Sequence, residues 1–225
     1  VILKEIKKTK INKIIHVSSS VLNSVYNDSY TETKLLQEKI ILKKWNKKLV
    51  ILRPTLMFGF FDRKHLGWIQ KFMKRFPVFP IPGNGNFIRQ PLFVLDFCKI
   101  IESCILNLSL EGIFDITGLQ KVPYKKLMKI IRNNIKNKPL FFYIPIPIFG
   151  ILLEIWGLIS HKPAFTKTQL QALTAGDEFE VINWPEIFSV RPTDIEKAIL
   201  ESKTGLNPMN EGKHLRIPIP ELSEE

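Results

Sequence analysis

A strand, a helix and a second strand follow one another early in the chain, and this order limits the fold more than any other feature. Lys13–Ser18 (KIIHVS) is a short apolar run that ends in hydroxyl side chains, which is typical of a buried parallel strand. From Tyr30 to about Asn46, apolar residues recur with Lys and Glu between them, which predicts an amphipathic helix. Leu49–Leu52 (LVIL) is a second buried strand, stopped by Pro54. This βαβ unit predicts an α/β fold with a parallel sheet covered by helices.

The rest of the chain continues to alternate between helices and extended segments. Prolines and glycines between residues 77 and 85 predict a stiff, turn-rich loop. The other predicted elements are helices over 66–76, 96–106 and 123–135, an extended piece over 90–94 and a strand over 112–117.

Leu140–Ile159 is the most apolar stretch, and its length approaches the roughly 20 residues of a membrane-spanning helix. Pro145, Pro147 and Gly150 interrupt its first half, and Glu154 lies in its second half. We therefore expect a buried or surface-lying helix of about three turns after Pro147. Peripheral contact with the inner face of a membrane is left open.

The charge and the cysteines narrow the function classes. The 33 basic and 21 acidic side chains give a net charge of +12, which indicates either a polyanionic, membrane or phosphorylated partner or a codon bias toward Lys, Ile and Asn. No nucleic-acid motif accompanies the lysines, so no nucleic-acid partner is predicted. Cys98 and Cys104 have no metal or redox pattern, and we expect buried, reduced thiols in a cytoplasmic chain. The four scattered histidines predict no metal site.

Tyr30 and Lys34 are the sharpest chemical feature of the sequence. They lie four residues apart at the start of the predicted helix, so both side chains lie on one helix face. A nearby cation favours the phenolate form of a tyrosine. Ser18, Ser19 and Ser20 end the preceding strand, where a hydroxyl is placed to bond the same substrate oxygen. These groups form an acid/base set for moving a proton on a carbinol while a hydride leaves its carbon.

The segment HVSSSV, followed by SYTETKLLQE, resembles the catalytic strand and helix of the extended short-chain dehydrogenases/reductases, the family of NAD-dependent epimerases and dehydratases. The resemblance implies a Rossmann-like parallel sheet, the C-terminal half of the doubly wound fold, with a small, mostly helical substrate lobe. It also implies that Tyr30 is the acid/base, Lys34 its partner, and Ser20, with Ser19 as the weaker choice, the hydrogen-bonding hydroxyl.

The segment Leu52–Gly59 (LRPTLMFG) is similar to the family's LRP-x-x-x-x-G segment, which lies beside the nicotinamide. The resemblance implies a site for NAD or NADP that is formed by Ser18, Tyr30, Lys34, Arg53, Pro54 and Thr55.

The segment Gly83–Asp96 (GNGNFIRQPLFVLD) resembles the part of the family in which an arginine contacts the substrate diphosphate. Arg89 is implied to bind a nucleotide sugar in this way, and Arg191 is assigned to the same substrate. An arginine fork suits phosphate oxygens geometrically.

The chain departs from the family at its beginning. The G-x-x-G-x-x-G turn that holds the cofactor pyrophosphate should lie roughly a hundred residues before Tyr30, but only 29 residues precede it. We therefore expect that the adenine-binding half is missing or separately encoded, and that residues 1–225 alone are inactive, bind NAD(P) poorly and aggregate through an uncovered sheet edge. Val21-Leu22-Asn23 replaces the aromatic–glycine pair of many epimerases, so no sugar is assigned.

The C-terminal segments Phe165–Leu170 and Val190–Glu196 are similar to relatives of the nucleotide-binding accessory subunit of respiratory complex I. Two functions therefore remain open: a fragment of an epimerase, dehydratase or ketoreductase, or a non-catalytic dinucleotide-binding assembly protein. A homodimer is also left open. The predicted organisation is a Rossmann-like part over 1–135 with substrate-lobe segments at about 60–95, a helical lobe over 136–202 and a loose tail over 203–225.

Overall fold

The computed structural model describes residues 2–6, 9–25, 28–62, 65–160, 165–176 and 178–202, and the backbone of 209–210 and 215–216. Helices and strands alternate along most of this length. The helices are α1 (Ile2–Ile6), α2 (Ser29–Lys44), α3 (Leu66–Arg75), α4 (Val94–Leu106), α5 (Tyr124–Asn133), α6 (Ile146–Ile159), α7 (Lys167–Thr174), α8 (Trp184–Ile187) and α9 (Ile195–Glu201). The strands are β1 (Lys13–Val17), β2 (Lys48–Pro54), β3 (Met57–Phe58), β4 (Val78–Pro82), β5 (Ile88–Arg89), β6 (Leu92–Phe93), β7 (Gly112–Ile116), β8 (Val122–Pro123), β9 (Leu140–Ile144), β10 (Met209–Asn210) and β11 (Leu215–Arg216).

A three-stranded parallel sheet in the order β1-β2-β7 forms the centre of the α/β part. Val50, Ile51 and Leu52 of the middle strand have no exposed surface, as expected for a parallel strand covered on both faces. The predicted βαβ unit and the α/β class are therefore confirmed. The strand predicted over 112–117 is β7, which extends the sheet on the other side of β2.

Among the described residues, four short strand pairs lie outside this sheet. Parallel pairs join β3 to β6 and β4 to β9, while β5 pairs with β8 in antiparallel fashion. Strand β9 was not predicted, because its sequence, LFFYI, continues into the equally apolar α6. In the predicted loose tail, β10 pairs with β11, and the other residues of that tail lie outside the described part of the chain.

Two apolar cores hold the elements together. The first packs β2 against α4 and α8, with Leu52, Ile100 and Trp184 almost fully buried. The second packs α3, β4, α5 and α9, and includes Met128 and Ala198. Because α8 belongs to the first core and α9 to the second, residues 184–201 tie the two cores together.

The burial of individual side chains corrects two expectations. The apolar residues Leu35 and Leu36 of α2 are exposed, and its buried residues are instead Thr31 and Glu38. Cys98 is exposed and only Cys104 is buried, although both thiols are free. Nowhere in the described part of the chain is a helix both long and apolar enough to cross a membrane.

Candidate active site

Helix α2 begins at the open end of β1 and presents Tyr30 and Lys34 on one face. Asp28 caps the helix, because its carboxylate accepts hydrogen bonds from the backbone N–H and the hydroxyl of Thr31, both at 2.9 Å. The Tyr30 side chain is 51% exposed. The Lys34 Nζ lies 5.9 Å from the centroid of the Tyr30 ring, so the phenol and the ammonium are neighbours, as the spacing predicts.

Lys34 also joins α2 to the end of β1. Its Nζ donates a hydrogen bond of 3.2 Å to the carbonyl oxygen of Val17, the last residue of that strand. The next residue, Ser18, is buried, and its backbone N–H bonds the Leu52 carbonyl at 2.7 Å. The structure therefore brings Tyr30, Lys34 and the start of the serine segment together at the carboxyl end of β1.

The other two serines differ in their surroundings. The Ser19 Oγ caps a short 3₁₀ turn over Ser20–Asn23 by accepting from the N–H of Val21 at 3.4 Å. Ser20 itself is only 4% exposed. Ser19 thus already serves the local backbone, and Ser20 reaches a substrate only if its surroundings open.

A buried ion pair lies beneath the Tyr30–Lys34 face. Arg53 Nε and Nη2 donate to the two carboxylate oxygens of Glu38 at 2.9 and 2.6 Å, and Arg53 Nη1 lies 3.8 Å from Asp115. Asn23 extends the network by donating to Asp115 at 2.9 Å. Arg53, predicted to contact the cofactor, therefore anchors α2 to the central sheet.

Glu38 was missed by sequence reasoning. Burial alone would raise the pKa of its carboxyl, but the hydrogen bonds and charge of Arg53 outweigh burial and lower that pKa. The available signal was its position four residues after Lys34, on the same helix face, in a helix otherwise rich in exposed lysine.

His16, two residues before Ser18, belongs to the same neighbourhood. Burial lowers the pKa of its imidazole, and the charge of Lys34 lowers it further, while Glu38 opposes the change. Within the described residues its buried Nε2 has no hydrogen-bond partner. His16 therefore favours the neutral form here.

The segment after β2 is buried and bonded to its neighbours. The Thr55 hydroxyl donates to the Gln90 carbonyl at 2.6 Å and accepts from the Gly118 N–H at 3.2 Å. The Gln90 side-chain amide in turn exchanges two hydrogen bonds with the backbone of Phe179. Pro54 and Thr55 are thus buried, and the Thr55 hydroxyl is already used within the protein.

The two arginines assigned to the substrate lie in different settings. The guanidinium of Arg89 donates to the carbonyl oxygens of Ala172 and Leu173 and so caps the C-terminal end of α7. Arg191 is exposed, next to Thr193, whose backbone and hydroxyl both bond the buried Asp96. Arg89 is thus engaged at the end of α7, and Arg191 lies two residues before the Thr193 that bonds Asp96.

The chemistry that this arrangement can perform is proton transfer at an exposed phenol. Lys34 has three N–H donors, and its bond to Val17 leaves capacity for a ligand hydroxyl at the same edge. Across the described ranges, no three His, Cys, Asp or Glu side chains group as metal ligands.

Comparison with known families gives a match at the C-terminal end of the chain. A family model for ribosome recycling factor matches residues 187–225. Ribosome-recycling factor from Alkaliphilus oremlandii is 44% identical over 87 residues, covering 36% of this chain and 40% of that protein. The corresponding protein from Rubrobacter xylanophilus is 49% identical over 47 residues, 18% of this chain and 25% of its own length.

This match bears on the expected likeness to relatives of the complex I accessory subunit. That likeness receives no support from the comparisons, and part of the segment that suggested it lies inside the recycling-factor match. The chain spans 40% or less of the two recycling factors.

Comparison with solved structures concerns most of the chain. A UDP-N-acetylglucosamine 4-epimerase from Methanobrevibacter ruminantium matches 87% of it at a TM-score of 0.61 and 15% identity. A dTDP-glucose 4,6-dehydratase from Bacillus anthracis, in complex with NAD, matches 89% of the chain at a TM-score of 0.62 and 15% identity. A UDP-glucuronic acid 4-epimerase from Bacillus cereus, also in complex with NAD, matches 89% of the chain at a TM-score of 0.57 and 17% identity. The chain covers 62–63% of these three structures. The described residues therefore have the Rossmann-like fold of nucleotide-sugar epimerases and dehydratases.

Proposed function

We propose that this chain carries the catalytic part of an NAD(P)-dependent enzyme that acts on a nucleotide sugar, as an epimerase, dehydratase or ketoreductase. Tyr30 exchanges a proton with the sugar hydroxyl or ketone, and Lys34 stabilises the phenolate. When bound, NAD or NADP accepts or returns a hydride. Ser20 supplies a second hydrogen bond to the substrate oxygen once its surroundings open.

The observation that carries this proposal is the position of the Tyr30–Lys34 pair. The phenol is half exposed, the ammonium lies 5.9 Å from its ring centroid, and a bond to Val17 holds the lysine at the carboxyl end of β1. Ligands of open α/β sheets bind at this edge. Support also comes from the fold shared with an epimerase and a dehydratase whose structures contain NAD.

Some of the residues proposed to bind the cofactor have hydrogen-bonding groups available for it, and others are already bonded within the protein. Lys34 retains donors for a ribose hydroxyl, and Ser18 lies beside it at the strand end. Arg53 and Thr55 are used within the protein, so we assign them, with Pro54, to the wall of the cofactor pocket. Arg89 and Arg191 remain proposed contacts of the substrate diphosphate. For Arg89, this requires rearrangement at the end of α7.

The test is turnover by the chain together with any polypeptide encoded directly upstream, using a panel of nucleotide sugars with NAD+ and NADP+. We expect Tyr30→Phe to lower the rate by roughly 10²–10⁴ because it removes the proton donor. Tyr143→Phe is the matched control, since Tyr143 is also about half exposed but lies on β9. A Tyr30→Phe rate within a few fold of wild type rules out the acid/base role.

Calorimetric titration with NAD+ and NADP+ separates the enzyme from the non-catalytic alternative. Tight cofactor binding by the assembled protein, with no turnover of any sugar, would favour a structural role for the dinucleotide.

A second candidate function rests on the match of residues 187–225 to ribosome recycling factor. This segment would contribute contacts to the ribosome. Part of it also belongs to the α/β body, because Phe188, Val190 and Ile199 are buried in the two cores.

Cosedimentation of the whole chain with ribosomes tests this candidate. A net charge of +12 attracts RNA without specificity, and such binding weakens steeply with salt. Binding that persists at high salt and is displaced by a recycling factor supports the candidate, and binding lost at moderate salt removes it.

A further inference from the structure

Strand β9 and helix α6 expose an apolar surface that no described residue covers. Leu158 is 87% exposed, Phe142 62% and Trp156 56%. Ile151, Leu152 and Ile155 of α6 are each exposed by half or more. We call these six side chains the α6 face. Large exposed apolar side chains clustered in neighbouring elements commonly mark a site of interaction.

Most of the α6 residues in this face lie opposite the side by which α6 is attached to the protein, whereas Trp156, seven residues after the buried Phe149, lies at the edge of the face. Phe149 and Gly150 are the buried residues of the helix, and Gly150 faces Lys167 and Leu170 of α7. At 100° per residue, Leu152, Ile155 and Leu158 lie on the other side of the helix. The helix has one charged residue, Glu154, which pairs at the flank with Lys167 at 2.6 Å. The exposed arc is therefore apolar without interruption.

The length of α6 determines whether it could span a lipid bilayer or lie in the plane of its surface. Its 14 residues extend about 21 Å, less than the roughly 30 Å of a hydrocarbon core. The helix is too short to cross a bilayer and would lie in the plane of its surface. Trp156 suits that depth, because tryptophan concentrates at membrane–water interfaces.

Exposed lysines precede β9 in the sequence and lie beside the start of α6. Lys136 and Lys138 are exposed immediately before β9, and the exposed Lys125 shares a surface depression with Pro145, where α6 begins. These lysines and the net charge of +12 favour an anionic surface. They disfavour a second copy of the same chain, since its lysines would approach with like charge.

We propose that β9 and α6 dock this protein onto a bilayer containing anionic phospholipids, with α6 parallel to the surface and Lys125, Lys136 and Lys138 facing the headgroups. This proposal goes beyond the proposed enzymatic function and does not depend on Tyr30 or Lys34.

Flotation of the whole chain with vesicles tests the proposal. We expect binding to vesicles of phosphatidylcholine with phosphatidylglycerol, and at least tenfold weaker binding to phosphatidylcholine alone. The double variant Leu152→Ser/Trp156→Ser should weaken binding at least tenfold, and Lys136→Glu/Lys138→Glu should weaken it several fold. Leu36→Ser is the matched control, because Leu36 is 58% exposed on α2. Unchanged circular dichroism establishes that each variant is folded.

Tryptophan fluorescence gives an independent readout. Trp45 and Trp184 are already buried and Trp68 is partly buried, whereas Trp156 is exposed, so most of a blue shift on adding anionic vesicles should disappear in Trp156→Phe. Failure to bind anionic vesicles overturns the proposal. A dimer in solution that Leu152→Ser/Trp156→Ser converts to a monomer also overturns it, because a second copy then covers the face.

Discussion

Helices α2 and α6 are similar in length but meet the protein and the solvent in opposite ways. Helix α2 is polar overall, and its deepest side chain is a carboxylate, Glu38, with 2% exposure. Helix α6 is almost entirely apolar, yet only Phe149 and Gly150 are buried. The chemistry of each helix's outer face thus differs sharply: Tyr30 and Lys34 on α2, and hydrocarbon on α6.

The comparison shows that hydrophobicity alone does not determine which face of a helix is buried. A buried position accepts a carboxylate when an arginine forms a bidentate ion pair with it, because paired charges with satisfied hydrogen bonds tolerate burial. An apolar helix can remain outside when the neighbouring elements cover only one narrow side of it. The two helices therefore suit different tasks, proton chemistry for α2 and adhesion for α6.

The largest effect is expected where α2 is anchored. Glu38→Leu makes α2 look more amphipathic, but it leaves Arg53 without its main partner and should lower the free energy of unfolding by about 3 kcal/mol. Urea denaturation measures the change. The double variant Glu38→Leu/Arg53→Met should recover most of the loss. A single variant as stable as wild type would mean that the ion pair does not hold α2.

Truncating Phe149, the buried residue that attaches α6 to the protein, should lower the free energy of unfolding by a similar amount but through lost apolar packing. Phe149→Ala removes a 9%-exposed ring and should cost about 3 kcal/mol through lost burial and a residual cavity. Phe142→Ala, at a 62%-exposed position, is the matched control and should change stability by less than about 0.5 kcal/mol. Equal losses in both variants would show that Phe142 is covered in solution.

Acid should weaken the α2 side of the molecule through His16. Burial and the charge of Lys34 hold its pKa below the ordinary value of 6.5, so the unfolded chain takes up a proton first as the pH falls. Stability should therefore decline as the pH falls from 6.5 toward the folded-state pKa. Thermal unfolding of His16→Gln across this range should show a shallower decline. Identical profiles for the two proteins would contradict this account.

The smallest effect is expected for the ion pair on α6. The Nζ of Lys167 lies 2.6 Å from the Oε1 of Glu154, but the two side chains are 47% and 54% exposed, so water screens the attraction. Lys167→Ala should change the free energy of unfolding by less than about 0.5 kcal/mol. Chemical denaturation compares the free energies of unfolding of Lys167→Ala and Glu38→Leu. If Lys167→Ala lost as much stability as Glu38→Leu, the contrast between the two helices would be wrong.

The sequence predicts the β1–α2–β2 unit and the Tyr30–Lys34 pairing because both depend on local spacing, whereas the loop predicted over 77–85 contains strand β4. The strand KIIHVS and the helix that follows it need only nearby residues to be recognised. The partners of Arg53, Thr55 and Arg89 lie 15 to 84 residues away along the chain, so tertiary packing alone determines them. Strand β9 escaped prediction because its apolar sequence continues into α6, and only its pairing with the distant β4 identifies it as a strand.

The pairing of β4 with β9 has a consequence for how the chain folds. Val78 and Leu140 are roughly 60 residues apart, whereas Lys13 and Lys48 of the β1–β2 pair are joined by a single helix. Closing the longer loop costs more chain entropy, and contacts of large sequence separation form slowly. The β1–α2–β2 unit should therefore assemble early, with β9 and α6 docking late. During synthesis the nascent α6 would remain available to chaperones, or to a nearby membrane, until β9 finds its partner.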